Sequence, residues 1–372
     1  MENQYIRRLE KIEAVLDTWL PQTPDSSWLE MVFGHLVKSS RNESASPSNL
    51  APELAASLIQ PGWDLVKRGG KRWRPLLMLL VAEAIAGESG GEASLPLTPL
   101  VEFPHNASLI HDDIEDNADQ RRGKPAVHLL YGMDTAINGG AFMYFLPLAC
   151  LSAWTAGKTA DAAALKERIW TAWASHMRGL HLGQAMDIAW HRDFHSLPSL
   201  DEYDRMCRLK TGCLAQLAAV LGVYCSGSSL QEQTLNSLSE AFAQAAGNLG
   251  VGFQILDDVK NLDTGIPGKK RGDDIVEGKK SLPVLLYLHR YPEKMDFAAR
   301  CFNAARAHGT GVPEVEEFIN DLERTGILEE AREKGLDYIR ESREIFSAPQ
   351  AAGIPLQKEG RELLAGLVDV IS

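Results

Sequence analysis

The sequence predicts an all-α chain, and three observations carry that prediction. Ala, Leu, Glu, Lys, Arg and Gln dominate long unbroken segments in which the apolar spacing is helical. Runs that alternate Val, Ile, Thr or aromatic residues with polar ones are scarce, so no strand is expected. With 45% hydrophobic residues among 372, the chain can bury a sizeable core.

Taken in order, "MENQYIRRLEKIEAVLDTWL" is amphipathic and charged and has no apolar stretch of the kind a secretory leader carries. Residues 1–50 read as a helical N-terminal extension and 51–372 as one body. "KSSRNESASPSNLAP" (Lys38 to Pro52) is a Ser/Asn/Pro-rich connection. "GGKRWRP" (Gly69 to Pro75) pairs flexible glycines with a proline that favours an extended or turn entry. "GESGGEASLPLTP" (Gly87 to Pro99) reads as a loop, and "DTGIPGKKRGDD" (Asp263 to Asp274) separates two helical stretches. No run is expected to reach the length that spans a bilayer, and the terminal "LVDVIS" has no prenylation cysteine.

A net charge of −12 disfavours nucleic acid as a partner, because phosphate binding needs Lys and Arg in excess. Cys150, Cys207, Cys213, Cys225 and Cys301 form no CxxC pair; they read as buried, reduced thiols of a cytoplasmic protein. A sequon-like "NAS" at Asn106 precedes the acidic cluster, where a glycan would obstruct a site.

That cluster, "LIHDDIEDNADQRRG", packs four carboxylates into five residues. At helical spacing Asp112 and Asp116 share a face with Leu109. One such pair repels by roughly 3 kcal/mol at about 5 Å and a dielectric near 20, but by under about 1 kcal/mol in water. The cluster is therefore either solvated or metal-bound. A second acidic site follows in "GNLGVGFQILDDVKNLD", where Asp257 falls one turn after Phe253 and Asn261 one turn further. Mg²⁺ suits such separated carboxylates, since it keeps waters and takes one or two carboxylates plus substrate phosphates. An EF-hand starting at Asp113 would put Ala118 where Gly is required and Lys124 where Glu is required.

Basic residues accompany the acids. Lys71, Arg72 and Arg74 lie in "GGKRWRP", "RRG" holds Arg121 and Arg122, and "GKKRGDDIVEGKKSLP" holds Lys270 and Lys279. Lys210 falls on one stripe with Met206, Leu214, Leu217 and Leu221, so it needs an anionic partner. The spacing between Gly272 and Gly278 and the Lys280 after Lys279 do not make a nucleotide phosphate loop. Acids that bridge Mg²⁺, with Lys and Arg and no nucleotide motif, point to diphosphate esters. "HRDFH" (His191 to His195) lacks the glutamate of a zinc-protease helix and reads as exposed helix-end histidines.

Between Gly69 and Pro283 the chain resembles the trans-isoprenyl diphosphate synthases: GGKRWRP, DDIED with RRG, GQAMD, LKT and GFQILDD occur in that family's order. "HNASLIHDDIEDNADQRRGKPAVHLLYG" is most similar to geranylgeranyl diphosphate synthases of the eukaryotic type. The resemblance implies a single large helical bundle around a deep central cavity, usually a homodimer. It implies that Asp112 and Asp116 hold two Mg²⁺ ions and Asp257 a third, all bridging an allylic diphosphate (dimethylallyl, geranyl or farnesyl). Asn261 stands where a metal-binding Asp is common. Arg121, Lys210 and Lys270 would contact the same diphosphate, with Lys279 supporting it. Isopentenyl diphosphate would sit on Gly70, Lys71, Arg74, His105 and Arg122. Thr211, Gln184 and Gln254 would turn oxygen dipoles toward the allylic cation, with Asp187 in the same wall.

The growing tail would run back along the helix before Asp112, past the small Ala107 and Ser108, to Phe103 as a floor giving geranylgeranyl diphosphate; Pro104 is expected to kink that helix. A farnesyl or longer-chain product, a class I terpene cyclase and a non-catalytic helical partner subunit are the competing readings. The cyclase has no use for a second diphosphate pocket, and the partner subunit should have lost its acidic motifs.

Overall fold

The computed structural model describes residues 2–34, 52–154, 160–194, 197–226, 230–265, 270–348 and 356–371. The helices, in chain order, are α1 (Glu2–Trp19), α2 (Ser26–Phe33), α3 (Pro52–Lys67), α4 (Trp73–Ala86), α5 (Glu88–Ser94), α6 (Pro99–Glu115), α7 (Val127–Tyr131), α8 (Met133–Ala153) and α9 (Ala160–Arg192). They continue as α10 (Leu200–Cys207), α11 (Cys213–Ser226), α12 (Glu232–Asp263), α13 (Asp273–Glu277), α14 (Leu282–Arg290), α15 (Met295–His308), α16 (Pro313–Arg324), α17 (Ile327–Ser347) and α18 (Lys358–Ile371). The all-α expectation holds. The connection read between Lys38 and Pro52 lies almost wholly outside the described residues.

Apart from Arg74 and Glu83, helix α4 is apolar all round, and every residue from Trp73 to Ala84 is buried, which fits a helix at the centre of a bundle. Around it the main core gathers α1, α3, α6, α8, α9, α11, the first half of α12 and α18. Helix α1 inserts Ile12 and Leu16 into this core, and Tyr5 donates to the Leu363 carbonyl of α18 at 2.6 Å. A second core joins α10, the end of α12 and α13 to α17. The 32-residue α12 belongs to both cores and carries the second acidic motif at its C-terminal end.

Three local expectations are corrected. The segment read as a loop from Gly87 to Pro99 forms α5 and a short 3₁₀ turn, Leu95–Leu97. Its glycines permit close packing rather than a break: a Cβ on Gly90 would lie 2.3 Å from the Ala82 carbonyl oxygen. A two-residue hairpin, β1 (Gln120–Arg121) with β2 (Lys124–Pro125), appears where no strand was expected. Its turn uses left-handed Arg122 (φ 53°) and Gly123 (φ 73°), the combination that suits the twist of a tight hairpin. Finally, Met133–Ala153 and the stretch Leu200–Ser226 are long and apolar enough, by length and composition, to cross a membrane. The bundle itself buries 50% and 67% of their apolar windows, as core helices require.

Pro104 does not interrupt α6, which runs unbroken through it. A proline cannot donate to the carbonyl four residues back, which is that of Leu100. Trp173 of α9 supplies the missing donor, its indole Nε1 lying 3.2 Å from the Leu100 oxygen. Asn106 of the sequon-like triplet is fully buried and donates to Glu102, so it presents no surface for a glycan. All five cysteines are buried free thiols.

Candidate active site

The end of α6 carries the first acidic motif, and its tandem aspartates diverge. Successive helical residues point about 100° apart, so two adjacent carboxylates cannot share a face. Asp113 is fully buried and pairs with the Arg121 guanidinium, Nε to Oδ1 2.7 Å. Asp112 is partly exposed and meets Arg121 at 3.3 Å, Lys210 at 3.4 Å and the Gln184 amide nitrogen at 3.0 Å. Burial alone would raise the Asp112 carboxyl, but Lys210, Lys279 and Arg121 hold it below the ordinary carboxylate range. Asp116, the C-cap of α6, is pushed up to about 6 by burial and by Asp112 and Glu277, against the opposing pull of Lys279. This carboxylate lacks sufficient positive charge around it.

Lys210 and Thr211 lie on a five-residue π turn, Arg208–Gly212, between α10 and α11. Such widened turns recur at functional sites because they redirect side chains that a regular helix would stack. Close approach here depends on glycines: a Cβ on Gly183 of α9 would lie 2.4 Å from the Lys210 nitrogen, and one on Gly250 of α12 2.4 Å from Gly212 Cα. The ammonium finds the anionic partners expected of it, Asp187 Oδ2 at 2.5 Å and Asp112 at 3.4 Å. Asp187 is held well below the carboxylate range, since Lys210 and His191 overcome the effect of its burial. His191, expected to be exposed, is nearly buried, with Nε2 2.7 Å from Asp187 Oδ1. His195 lies outside the described residues.

On α12, Gln254 accepts from Thr211 Oγ1 at 2.7 Å and donates to Asp258 Oδ1 at 2.8 Å. Asp257 is half-buried and Asp258 buried, repeating the divergence of the first motif. Asn261, read as a metal ligand, is 1% exposed, and its Oδ1 accepts from the Asp274 backbone amide at 3.2 Å. That oxygen is thus occupied in tying α12 to the start of α13. From there Asp274 lies 3.6 Å from the Lys279 ammonium, which also contacts Glu277 and reaches Asp116 at 3.7 Å. A continuous polar chain therefore joins the two acidic helices. Lys270 is exposed at the entry to α13, and its backbone amide donates to Asp273 at 2.6 Å. The Gln184 amide nitrogen donates to Asp112 at 3.0 Å and to Glu115 at 2.6 Å, which leaves its oxygen for another partner.

A second cluster forms where the glycine pair leads into α4. Gly70 has φ 148°, and a Cβ there would lie 3.2 Å from the guanidiniums of both Arg72 and Arg122. Arg72 is structural, buried against Glu102 at 2.9 Å and Glu13 at 2.6 Å. Arg74 stacks on Trp73 at 4.4 Å, approaches His105 Nε2 at 3.5 Å and leaves its buried Nε without a hydrogen-bond partner. Arg122 donates to the Leu65 carbonyl at 2.8 Å and to Asn106 at 3.2 Å. Lys71 is exposed, its ammonium 5.8 Å from the Phe253 ring centre. Burial lowers both Arg74 and Arg122 to about 10, helped by neighbouring arginines, so both stay charged at neutral pH. Burial and the same arginines push His105 well below its ordinary value. On the floor of α6, Phe103 and Ala107 are fully buried, while Ser108 is half-buried and donates to the His105 carbonyl at 2.8 Å.

Sequence reasoning missed Asp113, Asp258, His191 and Tyr203, whose hydroxyl donates to Asp258 Oδ2 at 2.9 Å. The doubled aspartates were the available signal: the second of each pair must turn toward the core and find a donor there.

An all-helical bundle that sets carboxylates and half-buried lysines beside a separate arginine cradle is an enzyme built for phosphorylated substrates. Residues 55–321 match the family model for polyprenyl synthetase, and the chain belongs to that family of prenyltransferases. It is 30% identical to a geranylfarnesyl diphosphate synthase of Aeropyrum pernix, covering 82% of this chain and 91% of that protein. It is 31% identical to a geranylgeranyl diphosphate synthase of Methanosarcina mazei, covering 84% and 92%. Among solved structures, the geranylgeranyl pyrophosphate synthetase of Pyrococcus horikoshii superposes with TM-score 0.77 at 25% identity, covering 100% of this chain and 98% of that one.

Proposed function

We propose that this chain joins isopentenyl diphosphate head-to-tail to dimethylallyl, geranyl or farnesyl diphosphate and makes geranylgeranyl diphosphate. The observation that carries this reading is the presence of two separate cationic sites. Arg74, Arg122 and the neutral His105 form a buried cradle with an unfilled guanidinium donor. The Asp112, Asp116, Lys210 and Lys279 cluster mixes cations with carboxylates. A terpene cyclase, which takes one diphosphate, would need only the second site.

The donors fit Mg²⁺. Asp112, Asp116 and Asp257 offer hard carboxylate oxygens, and among the described residues no three His, Cys, Asp or Glu side chains group into a self-sufficient metal cage. Such a set supplies one or two ligands per ion and leaves substrate phosphates to supply others, for which we propose three ions. When bound, Mg²⁺ neutralises charge on a departing diphosphate. Lys210, Lys279 and Arg121, now held by carboxylates, would turn their donors to that same diphosphate, with Lys270 at the rim. Thr211 and Gln254 would present oxygen dipoles to the allylic cation, and Gln184 and Asp187 would hold Asp112 and Lys210 in place. In the cradle, Gly70, Lys71, Arg74, His105 and Arg122 would fix isopentenyl diphosphate so that its double bond lies within reach of the cation. The growing tail would pass Ser108 and Ala107 toward Phe103.

We further propose a cytoplasmic homodimer. Five buried thiols support the compartment, and exposed apolar side chains on α8 and α9, Ile137, Phe145 and Leu182, support a partner. Purified protein with Mg²⁺, isopentenyl diphosphate and each allylic starter should give geranylgeranyl diphosphate by chromatography. Ala107→Phe with Ser108→Phe should shorten the product. Cyclic hydrocarbons from wild type would overturn the condensation reading, and unchanged length in the double variant would overturn the wall.

A further inference from the structure

We propose that Tyr203 is a positioning residue for the condensation, acting through Asp258 to fix which end of the Gln254 amide faces the allylic carbon. This rests on the reading that Gln254 and Thr211 stabilise the cation.

Four side chains from three elements form one directed line. Tyr203 of α10, 2% exposed, donates its hydroxyl to Asp258 Oδ2 at 2.9 Å. The other oxygen, Asp258 Oδ1, accepts from Gln254 Nε2 at 2.8 Å, one turn back on α12. Gln254 Oε1 accepts from Thr211 Oγ1 on the π turn at 2.7 Å.

The direction of this line follows from donor and acceptor inventory. A free glutamine amide can rotate by 180° and exchange its positive NH₂ end for its negative oxygen end. In the structure Asp258 Oδ1 accepts from the NH₂ end of Gln254, which leaves the amide oxygen toward Thr211. Asp258 can impose this only while its own plane is held, and the Tyr203 hydroxyl holds it from the opposite oxygen. Both groups are buried, so water does not readily replace the lost bond. With the line intact, an oxygen dipole points toward the π turn that also carries Lys210. With it broken, the amide samples both orientations, and half of them present N–H dipoles that repel a cation.

A poorly stabilised allylic cation has a second fate. After the carbon–oxygen bond breaks and diphosphate leaves with the electron pair, water can add and lose a proton to give the allylic alcohol, in place of attack by the isopentenyl double bond. The ratio of alcohol to elongated diphosphate therefore reports amide orientation, and a merely structural role would not move it.

The test is steady-state kinetics and product analysis of holoenzyme with farnesyl diphosphate, isopentenyl diphosphate and Mg²⁺ for wild type, Tyr203→Phe, Asp258→Asn and Gln254→Leu. Tyr203→Phe keeps the ring and should fold. It should lower kcat about tenfold, leave KM for farnesyl diphosphate within about twofold, and raise the farnesol fraction. Asp258→Asn should move kcat and the alcohol ratio the same way. If Gln254→Leu changes kcat and the alcohol ratio while Tyr203→Phe changes neither, the positioning role is overturned and the cation reading stands. If Gln254→Leu also leaves both unchanged, the cation reading itself fails, and the positioning role fails with it.

Discussion

The arginine cradle and the carboxylate cluster share helix α6: His105 belongs to one and Asp112 to the other, two turns and about 10 Å apart along one face. Their charges differ: one is cationic and the other mixed. In the cradle, burial drives Arg74 and Arg122 down to about 10 and His105 well below its ordinary value, the signature of cations crowded without enough anion. In the cluster, burial raises Asp116 to about 6 although Lys279 lies 3.7 Å away, while Lys210, Lys279 and Arg121 hold Asp112 below the ordinary range, so cations and carboxylates are interleaved. On the proposed reading, an anionic substrate alone completes the cradle, whereas the cluster takes an anion and a metal together.

The largest expected effect comes from removing one carboxylate. Asp112→Ala should lower kcat by about 10²–10³-fold at saturating Mg²⁺ and substrates, because it removes a group needed as charge develops on the leaving diphosphate. Its thermal unfolding, followed by circular dichroism, should change far less, since Lys210 keeps Asp187 and Arg121 keeps Asp113. Wild-type turnover in this variant would break the comparison, by showing that the cluster is a solvated surface.

A smaller effect separates the two regions directly. Arg74→Gln should raise KM for isopentenyl diphosphate about 30-fold, the loss of roughly 2 kcal/mol from one charge-assisted hydrogen bond, and leave KM for the allylic substrate unchanged. With a chelator present, isopentenyl diphosphate should still raise the melting temperature of wild type but not of Arg74→Gln. Geranyl or farnesyl diphosphate should raise it only when Mg²⁺ is restored. If both substrates protect equally without metal, the cluster does not need a cation, and the asymmetry disappears.

How much of this was legible before folding divides along the same line. Periodicity marks which residues share a face, so Asp112, Asp116 and Asp257 could be singled out, and the need for an anion beside Lys210 could be stated. Periodicity does not reveal what lies opposite. Asp113 finds Arg121 on a hairpin whose turn uses two left-handed residues, and Asp258 finds Tyr203 55 positions away. The π turn has no local mark in "CRLKTGC"; it accompanies close contacts at Gly183 and Gly250, glycines on other helices. Glycine is ambiguous in general, since the residue that breaks a helix is also the one that lets two helices touch. That ambiguity turned α5 into an expected loop. Pro104 shows the same limit, because nothing near it in sequence announces that Trp173 will satisfy the Leu100 carbonyl.

The finest test of the contrast is the titration of His105. In the native protein, burial and then Arg74, Arg122, Arg72 and Arg121 hold its imidazole well below 6.5, whereas the unfolded chain protonates it near that value. Between the two, the unfolded state binds the extra proton, so native stability is lost as pH falls through about 6.5 and the term vanishes above it, where both states are neutral. Wild type should therefore lose about 1.4 kcal/mol per pH unit relative to His105→Gln below that point, measured by urea unfolding, with a constant difference from pH 7 to 8. A constant difference down to pH 5 would mean that the imidazole titrates normally and that the cradle is not short of negative charge. Isopentenyl diphosphate sharpens the test. An anion seated among these arginines lets His105 accept a proton in the native state, so saturating substrate should flatten the acid loss in wild type and leave the variant's pH profile without a matching change.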